Sequence, residues 1–148
     1  MSAVLIDTNI LVYAYDRGEH IKQQQANRVL DALFTTGAGQ LSVQVLAEFF
    51  RAVTRSDRPI LTVEQAYAQV HDLMQAWVVL DLTAAIVAEA ARGVRDHQLA
   101  YWDAQIWASA KLNQIPVIFT EDLASASVIE GVRFTNPFAL DFMLEDWL

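Results

Sequence analysis

Four short, largely apolar runs recur along the chain: Ala3-Val4-Leu5-Ile6, Gln40-Leu41-Ser42-Val43, Trp77-Val78-Val79-Leu80 and Pro116-Val117-Ile118-Phe119. They read as strands buried on both sides, the habit of parallel sheets. Val132-Arg133-Phe134 is a weaker fifth. Between the runs lie stretches of helical period. Residues 21–35 space Ala26, Val29, Leu30, Leu33 and Phe34 as one helix face, and residues 44–55 do the same with Val45, Leu46, Phe49, Phe50 and Val53. Thr62-Val63-Glu64-Gln65 has the form of a capping box and predicts a helix through about Met74. Thr83 is placed to cap 84–96, and a last helix is predicted over 99–113, ending before Ile115-Pro116. Strands alternating with helices imply an α/β fold whose parallel sheet is covered on both faces. Ligands of such sheets bind beyond the carboxyl ends of the strands, so chemistry is sought there.

A length of 148 residues suits one domain, and no linker or repeat divides it, so residues 1–148 are read as a single unit. With 54% apolar and 19% charged residues, a disordered or low-complexity chain is excluded. No apolar stretch is long enough to span a bilayer. Met1 to Ile6 carries no basic region and meets Asp7 too early for a signal peptide. The absence of cysteine removes disulfides and thiolate metal sites and fits a reducing cytoplasm. The net charge of −8 speaks against binding nucleic acid through its phosphates. That objection lapses if carboxylates are gathered to hold divalent cations, which then set the local field.

Four carboxylates stand at telling places. Asp7 directly follows the first strand, and Asp122 follows the fourth in Thr120-Glu121-Asp122-Leu123. Each would equally serve as a cap of the following turn. Glu121 is a rival to Asp122, but neighbours on an extended segment point opposite ways and only one faces a site. Asp103 has Leu99, Ile106, Trp107 and Ala110 as its neighbours on a helix face, so its carboxylate falls on an apolar stripe. There it must be neutralised, paired with an arginine, or bound to metal. Glu48 follows the second strand, beside the apolar arc of its helix, where a surface pair with Arg51 would also explain it. Taken together, the four can meet at one edge of a parallel sheet. Oxygen-only ligands suit Mg²⁺ or Mn²⁺. One or two such ions can polarise a phosphoryl group and orient water for in-line attack, which implies metal-assisted phosphodiester hydrolysis.

These segments resemble a known family. Val4-Leu5-Ile6-Asp7-Thr8-Asn9-Ile10-Leu11-Val12-Tyr13 is similar to the opening motif of PIN domains. Val45–Phe50, Tyr101–Ile106 and Thr120–Leu123 resemble the other three, in the same order. The length is similar to that of the VapC-type toxins of bacterial toxin–antitoxin modules. The resemblance implies a three-layer α/β/α fold with a mostly parallel sheet and a Mg²⁺- or Mn²⁺-dependent endoribonuclease. It assigns Asp7, Glu48, Asp103 and Asp122 to the acidic quartet, and Asn9 and Thr120 to the polar helpers that hold it. It further implies a homodimer and silencing by a cognate antitoxin. Asp7 and Asp103 are then expected to hold the principal cation, with Glu48 and Asp122 completing the site. His20, His71 and His97 lie outside the motifs.

Arg51 and Arg55, one helical turn apart, are candidates for RNA phosphates, against a reading as solvated salt-bridging side chains. Arg92 and Arg95 form a second such pair. Trp77, Trp102, Trp107 and Trp147 are expected in the core rather than as base-stacking rings. The stretch Phe138–Leu148 would cover the core or form a dimer seam. Three other functions compete: a PIN-type nuclease of RNA processing without an antitoxin, a phosphatase using Asp7 as nucleophile, and a non-catalytic module. Asn9 stands where the phosphatase needs a second Asp, and neither Lys22 nor Lys111 fits its motif lysine.

Overall fold

A computed structural model describes residues 2–55, 57–123 and 127–148. Its centre is a six-stranded sheet. The strands are β1 (Val4–Ile6), β2 (Gly39–Ser42), β3 (Val78–Leu80), β4 (Val117–Phe119), β5 (Val128–Ile129) and β6 (Val132–Thr135), in the spatial order β3-β2-β1-β4-β6-β5. All neighbours are parallel except β5 and β6, a hairpin turned by Glu130 and Gly131, both at positive φ. Every residue of β1 and β4 is buried, so the sheet is covered on both faces where they pair. The fold is the expected three-layer α/β/α.

Among the described residues six α-helices do the covering: α1 (Thr8–Tyr15), α2 (His20–Thr36), α3 (Val43–Thr54), α4 (Val63–Ala76), α5 (Ala84–His97) and α6 (Tyr101–Leu112). None of the described helices is long and apolar enough to cross a membrane. The capping box at Thr62 is complete, with Gln65 N donating to the threonine hydroxyl and Thr62 N to the glutamine side chain. Thr83 caps α5 as expected, through Ile86 N. Helix α1 has no counterpart among the helices expected from periodicity. It is eight residues long and starts on Asp7, whose Oδ1 accepts from Thr8 N at 2.7 Å. Val43 belongs to α3 rather than to the preceding strand, because Ser42 caps that helix through Val45 N.

The last helix begins at Tyr101, not at 99. Gln98 ends α5 in the left-handed region, and Leu99-Ala100 form the connection. Helices α5 and α6 pack closely because Gly93 has no side chain: a Cβ there would stand 2.8 Å from the Trp107 ring. Phe142 and Trp147 meet Phe119 edge-on, and Leu144 is buried, so the carboxyl-terminal stretch covers the core.

Candidate functional site

Strand order determines where the chemistry is placed. The chain leaves β1 toward β2 and β3 on one side, and returns to β4 on the other, so the ends of β1 and β4 flank a switch point. Asp7 and Thr120 are the first residues past those ends. The register Ile6↔Phe119 and the bond from Asp7 N to Phe119 O (3.0 Å) set them side by side. The Thr120 hydroxyl donates to Asp7 Oδ2 at 2.7 Å and accepts from Asp122 N at 3.2 Å. One threonine thus ties the first carboxylate to the loop that carries the last.

A cavity of about 390 Å³ opens over this point. Asp7, Glu48, Asp103 and Asp122 all line it, with Asn9, Thr8, Gln44, Arg51, Arg55 and Trp102. Four acidic residues far apart in sequence are therefore brought together. None is locked to an arginine among the described residues. Glu48 accepts instead from Thr8 Oγ1 at 3.0 Å and from Gln44 Nε2 at 3.4 Å, so its pair with Arg51 does not form. Asp103 sits in the first turn of α6 and is half-buried, not deep in an apolar stripe. The helix starts two residues later than the spacing suggests, so this carboxylate, which lines the cavity, stands in the first turn near the positive end of the helix dipole.

Glu121 is excluded from the cavity. It accepts from Tyr13 Oη and Lys22 Nζ, both at 2.6 Å, and leaves Asp122 to face inward. Asn9 holds the same loop, its Oδ1 accepting from Glu121 N at 3.4 Å, while its buried Nδ2 has no partner among the described residues. Thr120 thus contacts a carboxylate of the quartet directly, whereas Asn9 acts on the backbone beside one.

Repulsion within the group is visible in the acidities. Burial pushes the Asp7 carboxyl up to about 6, and the charges of Asp122 and Glu48 add to the rise. The Thr120 hydroxyl and Thr8 N–H oppose it. Asp103 is raised by burial first and by the same two charges. As the side chains stand, no three acidic or histidine groups among the described residues are close enough to ligate one ion. The donor set nevertheless fits a hard cation: it is oxygen only, it shares one cavity, and its mutual repulsion is what a divalent charge would relieve.

Several contributors carry no sequence signal of their own. Gln44 is one: its amide donates to Trp102 O at 3.1 Å, joining α3 to α6. Trp102 is another, and corrects the expectation of core packing, since it is 62% exposed on the cavity rim. Trp107 is buried, and Trp77 and Trp147 pack against Phe34 and Phe119. Arg92 and Arg95 are held by Glu89, Glu130 and Asp96, in keeping with the salt-bridge reading. Arg51 and Arg55 form no ion pair among the described residues and line the cavity.

Comparison with known proteins follows the same lines. A family model described as PIN domain matches residues 4–128. No curated protein sequence matches. Among solved structures, the chain is similar to a toxin–antitoxin complex from Klebsiella pneumoniae (17% identity, 92% of this chain and 98% of that one, TM-score 0.67). It is also similar to the sarcin–ricin-loop-cleaving toxin VapC20 of Mycobacterium tuberculosis (18%, 88% and 99%, 0.65). A third is VapBC2 from Rickettsia felis bound to a DNA fragment from their promoter (18%, 90% and 98%, 0.65). At these identities the structural likeness speaks for the fold, and the family model for descent. The chain belongs to the PIN domain family.

Proposed function

We propose that this chain is a Mg²⁺- or Mn²⁺-dependent endoribonuclease and the toxin of a toxin–antitoxin pair. The single observation that carries the reading is the convergence of Asp7, Glu48, Asp103 and Asp122 on one cavity without a cationic partner among the described residues. In this reading residues 1–148 act as one nuclease domain in the cytoplasm, as a homodimer, silenced by an antitoxin protein. VapC20 is a sarcin–ricin-loop-cleaving toxin, and the similar structures include a toxin–antitoxin complex. A nuclease of RNA processing would use the same four carboxylates, so the antitoxin is the part that needs its own test.

Asp7 and Asp103 would hold the cation most directly, one or two ions in all, with Glu48 and Asp122 beside them. A divalent ion so held supplies Lewis acidity toward a phosphoryl oxygen and favours the attack of water. The chain's part is placement. Thr120 and Thr8 fix Asp7, and Gln44 and Thr8 fix Glu48. Lys22 and Tyr13 draw Glu121 aside, so that Asp122 is the residue of that loop on the cavity.

Purified protein with Mg²⁺ or Mn²⁺ should cleave RNA, and Asp7→Asn should abolish cleavage with an unchanged circular dichroism spectrum. Wild-type activity in a folded Asp7→Asn protein would overturn the proposal. Growth arrest on expression, relieved by a co-encoded small protein, tests the toxin assignment separately.

A further inference from the structure

Trp102 is the one tryptophan whose ring is mainly in water, at the mouth of an acidic cavity. Exposing an indole there costs burial energy, and its place is tightly built. The Tyr101 ring braces it edge-on at 5.0 Å. The Tyr101 hydroxyl donates to Gln105, Gln105 donates to Gln44, and Gln44 donates back to the Trp102 carbonyl. This closed ring of bonds holds the Trp102 backbone against α3, one turn from Glu48. Trp107 differs, since its indole N–H is satisfied by Ile129 O inside the protein.

The opposite stretch of the same cavity carries cations. With a rise of 1.5 Å per residue, Arg51 lies about 10 Å along α3 from Gln44, and hence from the anchor of Trp102, and Arg55 follows as the residue that caps the helix end. Along α3 the cavity lining thus runs from the anchor of the Trp102 ring past the Glu48 carboxylate to guanidinium groups, which suits a single strand that offers a base, a scissile phosphate and further phosphates. We infer that Trp102 is a stacking platform for an unpaired base of the RNA, with Arg51 and Arg55 taking flanking phosphates. The inference rests on the nuclease reading above. Stacking on one ring face needs a base already out of its helix, so the substrate is single-stranded at the cut. Trp102 is then a specificity-determining residue: it selects strandedness and favours the bases that stack most strongly.

The test compares wild type, Trp102→Ala, Trp102→Leu and Trp102→Phe on a short labelled single-stranded RNA of randomised sequence, with Mn²⁺ present. Binding is read by anisotropy in the Asp7→Asn background, and cleavage in the active one. Loss of a stacked base weakens binding and raises KM by about 5- to 150-fold, with a smaller change in kcat. Phe restores most of the loss and Leu does not, a split that a merely space-filling role would not produce. A duplex of the same sequences competes poorly. Unchanged binding and KM in Trp102→Ala overturn the inference, including the case in which that variant loses only its hold on a protein inhibitor. Equal behaviour of Leu and Phe also overturns it. Failure of the wild type to cleave any RNA, with Trp102-dependent binding intact, would instead sink the nuclease reading alone.

Discussion

Replacing Asp7 by Asn should make the metal-free protein more stable at neutral pH. Asp7 is 7% exposed, and its carboxyl titrates at about 6 against an ordinary 3.8. A raised folded-state value means the fold prefers the protonated form. At low pH the group is protonated in both states and costs nothing. As pH climbs through about 6 the fold must hold a buried charge, and that contribution to stability is lost. Holding the charged carboxylate in this setting therefore costs about 3 kcal/mol at neutrality. Asn removes the charge and keeps the acceptor for Thr8 N, but its amide would face the Thr120 hydroxyl and force it to turn, a loss of about 1 kcal/mol. The net gain of about 2 kcal/mol corresponds to a rise in Tm of about 4–8 °C for a chain of this size. Melting curves of both proteins in EDTA, at about pH 7.5 and about pH 4.5, measure it: the gap should be wide at the higher value and nearly closed at the lower. A gap independent of pH, or an Asp7→Asn protein less stable at neutrality, would refute the idea that burial of charge dominates this site.

Mg²⁺ or Mn²⁺ should reverse that order. At 100 times the dissociation constant an ion stabilises wild type by about 2.7 kcal/mol, and titration calorimetry should find no binding in an Asp7→Asn, Asp103→Asn double variant. Thr120→Val removes the hydroxyl 2.7 Å from Asp7 and should lower metal affinity or cleavage about 10- to 100-fold, read by titration and by rate. Gly93→Ala should destabilise by about 1–3 kcal/mol in urea unfolding, although alanine favours helices, because its methyl would drive into the Trp107 ring. Lys22→Met should release Glu121 with little change in melting, since the pair is partly exposed and such pairs contribute about 1 kcal/mol or less.

The layered architecture is legible because buried parallel strands write themselves as short hydrophobic runs, and because Thr62 and Thr83 mark helix starts by local chemistry. The candidate carboxylates are legible for a related reason: Asp7 and Asp122 follow such runs. Helix α1 is hidden by its length, since eight residues hold barely two turns and Asp7 reads as a strand end before it reads as a cap. Asp103 reads as too deep because the apolar spacing around it runs two residues ahead of the true helix start. What position cannot reveal is partnership across long separations. Glu48 meets Thr8 rather than Arg51, and Glu121 meets Lys22 across 99 positions. Trp102 and Trp107 lie in similar local surroundings, and only the packing of the folded chain leaves Trp102 exposed and Trp107 buried.

The pairing of β4 with β1 carries a consequence for how activity is acquired. Side chains alternate sides along a strand, so docking β4 one residue out of step would present the Phe119 ring, or Glu121, where the Thr120 hydroxyl meets Asp7. A misaligned molecule would thus have hydrocarbon or a repelling charge in place of the proton donor at the cavity floor. In the proposed nuclease, correct alignment of β4 on β1 is thus a condition for assembling the Asp7 site.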